Sequence, residues 1–103
     1  MTPAVLHILL SLSAEDRHGL GIAADVKAFS NGRLTLGPGT LYGTIKRLLD
    51  AALIEDLGSP SAEIDDPRRR YYRITGKGRR ALELETEGLA SVLSVAKRRL
   101  KTS

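Results

Sequence analysis

"LGPGTLYGTIKRLLD", residues 36–50, is the stretch on which the fold turns. Pro38 suits the first turn of a helix, because its missing N–H is one that the turn would leave unbonded anyway. After it, Leu41, Ile45, Leu48 and Leu49 fall at i, i+4, i+7 and i+8, which is one face of a 3.6-residue repeat. The opposite face is Gly39, Thr40, Gly43, Lys46, Arg47 and Asp50, with Tyr42 at its border. That surface is small at its N-terminal end and basic one turn later. A helix start that carries small residues comes close to a phosphate or a base edge, and its free amides favour an anion. The same spacing also fits glycines that let two helices of the protein pack closely, with Lys46 and Arg47 solvated. A nucleotide-binding loop is excluded: that motif needs a Lys-Ser or Lys-Thr after its last glycine, and none follows here.

Upstream, Thr2-Pro3 reads as an N-cap and first helical position, and "AVLHILLSL" then places apolar residues on every side of the helix. One face of such a helix meets the core, and the other is expected to meet a second subunit. Ile22, Ala23, Val26 and Phe29 recur at helical spacing before Asn31-Gly32, which supplies a left-handed stop. Leu34 and Leu36 alternate around Thr35 as a short strand would.

Downstream, "LIEDL" (53–57) and "RYYRIT" (70–75) are both strand-like, and the polar segment between them makes a hairpin with a long tip. In the second strand Tyr72 and Ile74 share one face, and Tyr71 and Arg73 the other. Arg68, Arg69 and Arg70 stand where the hairpin rises from its loop, so a fold displays them. A ribbon with such a tip lies along a phosphate backbone or reaches into a minor groove. An edge strand guarded by charge accounts for one or two of these arginines better than for three together with Arg73. Thr75 caps a long helix from about Gly76 towards Lys101. Its apolar positions Leu82, Leu89, Val92, Leu93, Ala96 and Leu100 form a stripe, which predicts a pairing seam with Val5 and Leu9 of the first helix. Glu83, Glu85 and Glu87 precede Lys97, Arg98, Arg99 and Lys101, the order that the helix dipole prefers, so the terminal cations are expected to be solvated or to rim a dimer.

Composition narrows the rest. The chain has 103 residues, 42% of them hydrophobic, enough for one small domain with one core. Residues 1–67 hold five Lys/Arg against nine Asp/Glu, whereas residues 68–103 hold eleven against three. A cationic end on an otherwise ordinary domain points to an anionic polymer or surface as partner. There is no cysteine for a disulfide or thiolate metal site, and no apolar run of membrane-spanning length, so a cytoplasmic protein with no membrane partner is expected. Enzyme chemistry finds little support: His7 lies in an apolar helix as a packing residue, and His18 begins a helix. Asp65-Asp66 before Pro67 reads as a turn and not as a metal site. No cofactor is expected.

The order is thus helix, helix, short strand, helix, strand, loop, strand, helix. The expected fold is α+β, mainly helical: a winged helix-turn-helix over residues 1–75, with its wing at about 53–75, and a C-terminal dimerisation helix over 76–103. "LTLGPGTLYGTIKRLLDAALIE" followed by "DPRRRYYRITGKGRRAL" resembles the PadR family of bacterial transcriptional regulators, and "TPAVLHILLSL" with "HGLGIAADV" resembles that family's first two helices. The resemblance implies a homodimeric, usually repressing, transcription factor on a roughly palindromic operator in double-stranded DNA. It makes Pro38, Gly39, Thr40, Tyr42, Gly43, Lys46 and Arg47 candidates for the groove, with Thr40, Tyr42 and Lys46 foremost. Arg68, Arg69 and Arg70 become phosphate or minor-groove ligands of the wing. A small-molecule effector is compatible with the family, but the chain has no tryptophan to sandwich a flat drug. The competing expectation is a winged-helix module whose arginines recognise an acidic protein surface. DNA binding uses the helix face and the wing together, whereas a protein contact needs only one of them.

Overall fold

The structure, a computed structural model, describes residues 1–60 and 69–101. Helix α1 (Pro3–Ala14) starts on the Thr2 side chain, which accepts from the Val5 N–H. A two-residue strand β1 (Arg17–His18) leads directly into α2 (Gly19–Phe29). The chain then turns through Asn31 and Gly32, both at positive φ (54° and 75°), and so realises the left-handed stop. Helix α3 (Pro38–Asp50), strands β2 (Ile54–Gly58) and β3 (Tyr71–Ile74), and the long α4 (Gly76–Lys101) complete the order. Thr75 caps α4 by accepting from the Gly78 N–H at 3.0 Å. The architecture is mainly helical α+β, with four helices against a three-stranded antiparallel sheet among the described residues.

The sheet runs β1-β3-β2, with Tyr72 of the central strand opposite Arg17 on one side and Asp56 on the other. Its third strand is therefore Arg17–His18 and not the 34–36 segment, where no strand forms. Ser30 explains the difference: its hydroxyl accepts from the Leu34 N–H at 3.1 Å and lies 3.4 Å from the Leu34 carbonyl. One side chain supplies locally what a neighbouring strand would have supplied. Leu36 still points inward as alternation requires, and it is buried.

The core joins Ile8, Leu9 and Leu12 of α1 with Ile22 and Val26 of α2, and with Leu41, Ile45 and Leu48 of α3. Ile54, Tyr72 and Ile74 close it from the sheet, and Leu82 from α4. Two residues of the expected pairing seam are thus corrected. Leu9 is 0% exposed and Leu82 6%, because α1 and the first turns of α4 pack into the chain's own core. Neither presents surface to another molecule. Val5 is half-buried against the same core. Beyond Glu85, α4 leaves the body: Leu89, Val92, Leu93 and Leu100 are exposed, and Ala96 is half-buried. The molecule is correspondingly long, 60 × 27 × 20 Å.

Candidate nucleic-acid interface

Burial of Leu41, Ile45 and Leu48 fixes which way α3 faces, and leaves Pro38, Gly39, Thr40, Gly43, Lys46 and Arg47 exposed on the other side. The helix opens at Gly37, whose hydrogen-carrying α-carbon provides no side-chain cap for the first amides. At Gly39 and Gly43 the reading of close helix packing within the chain fails. A Cβ built at either would meet nothing within 4 Å, so neither glycine is there to let another part of the chain approach. In a helix, glycine costs up to about 1 kcal/mol relative to alanine. The protein accepts that cost on an outward face with no internal packing to show for it. Gly19 and Gly78 behave in the opposite way: a Cβ on Gly19 would lie 2.7 Å from the Tyr42 hydroxyl oxygen, and one on Gly78 would run into the Leu53 carbonyl.

Tyr42 is accordingly corrected. It is half-buried, and its hydroxyl is buried against Gly19 of α2, so its ring braces α3 on α2 and does not offer that hydroxyl to the surface. The outward set reduces to Pro38, Gly39, Thr40, Gly43, Lys46 and Arg47. Arg47 leans back over the buried Thr44, with Nη2 3.5 Å from its hydroxyl. Lys46 is exposed.

At the loop end of the hairpin the two described arginines differ. Arg68 lies outside the described residues. Arg69 is exposed. Arg70 is half-buried, and its Nε donates to Asp56 Oδ2 at 2.8 Å while the other oxygen of that carboxylate accepts the Gly58 N–H at 2.7 Å. Burial pushes the Asp56 carboxyl up, but these hydrogen bonds and the Arg70 charge outweigh it and hold the group below the usual carboxylate range. Asp56 was not singled out from the sequence. Its signal is the register: Asp56 stands opposite Tyr72, so Arg70 is a diagonal neighbour across the strand pair. Arg73 turns the other way and clasps Asp16 with Nε at 3.2 Å and Nη2 at 2.9 Å, tying the sheet to the chain between α1 and β1. Tyr72 and Ile74 fasten the hairpin to the core, as alternation requires.

The histidines are structural. His7 bonds through Nδ1 to the Pro3 carbonyl and stacks on Phe29 with ring centres 5.6 Å apart. His18 Nδ1 accepts the Gly21 N–H and thereby caps α2. Among the described residues no group of three or more His, Asp or Glu is placed to hold a metal ion, and no helix is long and apolar enough to cross a membrane.

Comparison with known proteins agrees with this architecture. A PadR family transcription regulator from Clostridium difficile superposes with a TM-score of 0.78 at 25% identity, over 96% of this chain and 99% of that one. A PadR-like transcriptional regulator from Bacillus cereus gives 0.76 at 25% identity, over 93% and 89%. An uncharacterized 37.1 kDa protein from a Streptomyces fradiae transposon is 33% identical over 87 residues, and this chain spans 23% of that protein's length. Residues 5–84 match the model of the transcriptional regulator PadR-like family, and they include all the described elements from the core of α1 to the first turns of α4. With four-fifths of its length matched, carrying both the α3 face and the wing, the chain belongs to the PadR-like family of transcriptional regulators.

Proposed function

We propose that the chain is a sequence-specific DNA-binding regulator that acts as a homodimer, and as a repressor, on a palindromic operator. In this reading α3 enters the major groove with Thr40 and Lys46 towards base edges, and the wing residues Arg68, Arg69 and Arg70 are assigned to the phosphates. One observation carries it. The outward face of α3 holds two glycines that serve no contact within the chain, followed one turn later by exposed Lys46 and Arg47. A surface that removes its own side chains where the helix amides emerge, and then adds positive charge, is shaped for an object that comes close and is anionic. An acidic protein partner would find the charge but would have no use for the missing side chains. The exposed apolar residues of the second half of α4 supply the surface on which two copies pair.

Selection of duplexes from a random-sequence pool by the purified protein tests this. The expected product is an inverted repeat with half-sites about one helical turn, roughly 34 Å, apart. A reporter driven from a promoter that carries this repeat is expected to fall when the protein is expressed. Recovery of no sequence above the input pool, at a salt concentration where the protein is folded, overturns the reading.

A further inference from the structure

The joint between α3 and α4 is closed by more contacts than either helix end needs. At the end of α3 the Ala51, Ala52 and Leu53 N–H groups already return to the carbonyls of Arg47, Leu49 and Leu48. The carbonyls of the same three residues are then taken by the start of α4. Lys77 Nζ donates to the Ala51 oxygen at 2.8 Å, the Thr75 hydroxyl to the Ala52 oxygen at 2.7 Å, and the Thr75 N–H to the Leu53 oxygen at 3.1 Å. Because the Thr75 hydroxyl also accepts from Gly78, a single oxygen caps α4 and terminates the turn after α3. Gly78 lies against the Leu53 carbonyl with no room for a side chain. Ala52 is held at φ 60°, a left-handed conformation that a residue with a Cβ adopts at a cost.

The apolar contacts of α3, with Tyr42 set against Gly19, hold the helix on α1 and α2. The polar ties fasten the turn at its C-terminal end to the start of α4, whereas Gly39 and Thr40 stand at the other end. A 13-residue helix is about 20 Å long, so a tilt of about 10° at the joint moves its far end by about 3.4 Å, the rise of one base pair.

We propose that Thr75, supported by Lys77 and Gly78, is a positioning residue that fixes the angle between α3 and α4 and thereby sets the half-site spacing that the dimer accepts. This rests on the reading that α3 enters the groove and that α4 holds the two copies together. In this proposal each acts through α3 and not through a contact of its own with DNA.

The test uses the full chain and the duplex that it selects, together with duplexes in which the half-sites are moved apart or together by one base pair. The parent is expected to prefer its own spacing by about tenfold, the order of one lost base contact. Thr75→Val keeps the shape of the side chain and removes the hydroxyl; it is expected to reduce that preference to threefold or less while base preference within a half-site is retained. Thr75→Ser keeps the hydroxyl and is expected to restore the parent ratio. Lys77→Met, at an exposed position, is expected to give an intermediate ratio in a protein that folds normally, so the test does not depend on Thr75→Val alone. Parent-like spacing preference in Thr75→Val and Lys77→Met overturns the proposal, as does equal weakening at every spacing. A parent that binds single half-sites and ignores spacing overturns it while half-site recognition stands, and a parent that selects no sequence overturns both.

Discussion

Gly39 and Gly43 separate stability from function one residue at a time. Since a Cβ at either position meets only open space, Gly39→Ala and Gly43→Ala are each expected to stabilise the free protein, by up to about 1 kcal/mol, through better helix propensity. Both are expected to weaken binding to the selected duplex, because the added methyl occupies the approach. Urea denaturation and duplex titration of the same samples check the two halves of this expectation. Stabilised variants that bind as the parent does would remove these glycines from the interface. Gly78→Ala is expected to destabilise strongly, since its methyl would collide with the Leu53 backbone and not with the movable end of a side chain. These two classes of glycine look alike in the sequence. "GPGTLYG" announces small residues on a helix, but what faces each one depends on elements many positions away. Tyr42 shows the same limit: its place at the border of the apolar face was legible, yet the notch at Gly19 that draws its hydroxyl inward was not.

At the scale of elements, what the sequence showed depended on whether the element repeats. Four helices and two strands carry enough turns or alternations to be read, together with the caps at Thr2 and Thr75 and the stop at Asn31-Gly32. Strand β1 has two residues and therefore no period; it exists because β3 offers it a ladder. The segment 34–36 has the period without the ladder. In the wing, the Asp56–Arg70 pair gives a pH expectation. The folded protein holds the Asp56 carboxyl below its ordinary value, so its contribution to stability is present above an unfolded pKa of about 3.9 and is lost as pH falls through the lower, folded value. Asp56→Asn is therefore expected to be less stable than the parent at neutral pH, with the gap closing as both are acidified below about pH 4. Urea midpoints of both proteins along that series measure it, and a gap independent of pH would place the effect elsewhere. The arginines themselves are expected to divide by salt dependence. If Arg69 neutralises a phosphate, Arg69→Ala flattens the slope of log affinity against log salt by about 0.9 per contact, hence by about 2 in a dimer, while operator preference survives. Titration at four salt concentrations gives the slope, and a slope equal to the parent's would remove Arg69 from the phosphates.

The whole molecule consists of a body with a closed core and a helical arm that leaves it. For a chain of this length a compact domain has a radius of gyration of about 13 Å, against 15.5 Å observed. The excess is the second half of α4, on which Val92 is 66% and Leu100 75% exposed. Apolar residues at this density on a free helix are not stable in water by propensity alone, since isolated helices of about 12–15 residues are marginal. The proposed dimer covers them with a second copy, and places the acidic first half and basic end of α4 around that seam. Because Leu9 and Leu82 belong to the body's core and Leu89 and Leu93 do not, dimerisation and folding are expected to be separable. Leu89→Glu with Leu93→Glu is expected to convert a dimer into a monomer whose body remains cooperatively folded, with helix lost only from the arm. Sedimentation equilibrium reads the mass, and amide exchange reads protection, expected to persist at Ile8, Ile22, Ile45 and Tyr72 and to vanish beyond residue 88. The same variant is expected to bind the full inverted repeat no better than a single half-site, because the two recognition helices are no longer joined and the second contact loses its high effective concentration. A variant that stays dimeric would place the interface elsewhere, on the half-buried face of α1 that carries Val5 and His7. A variant that unfolds as a whole would show that the body's core depends on the partner.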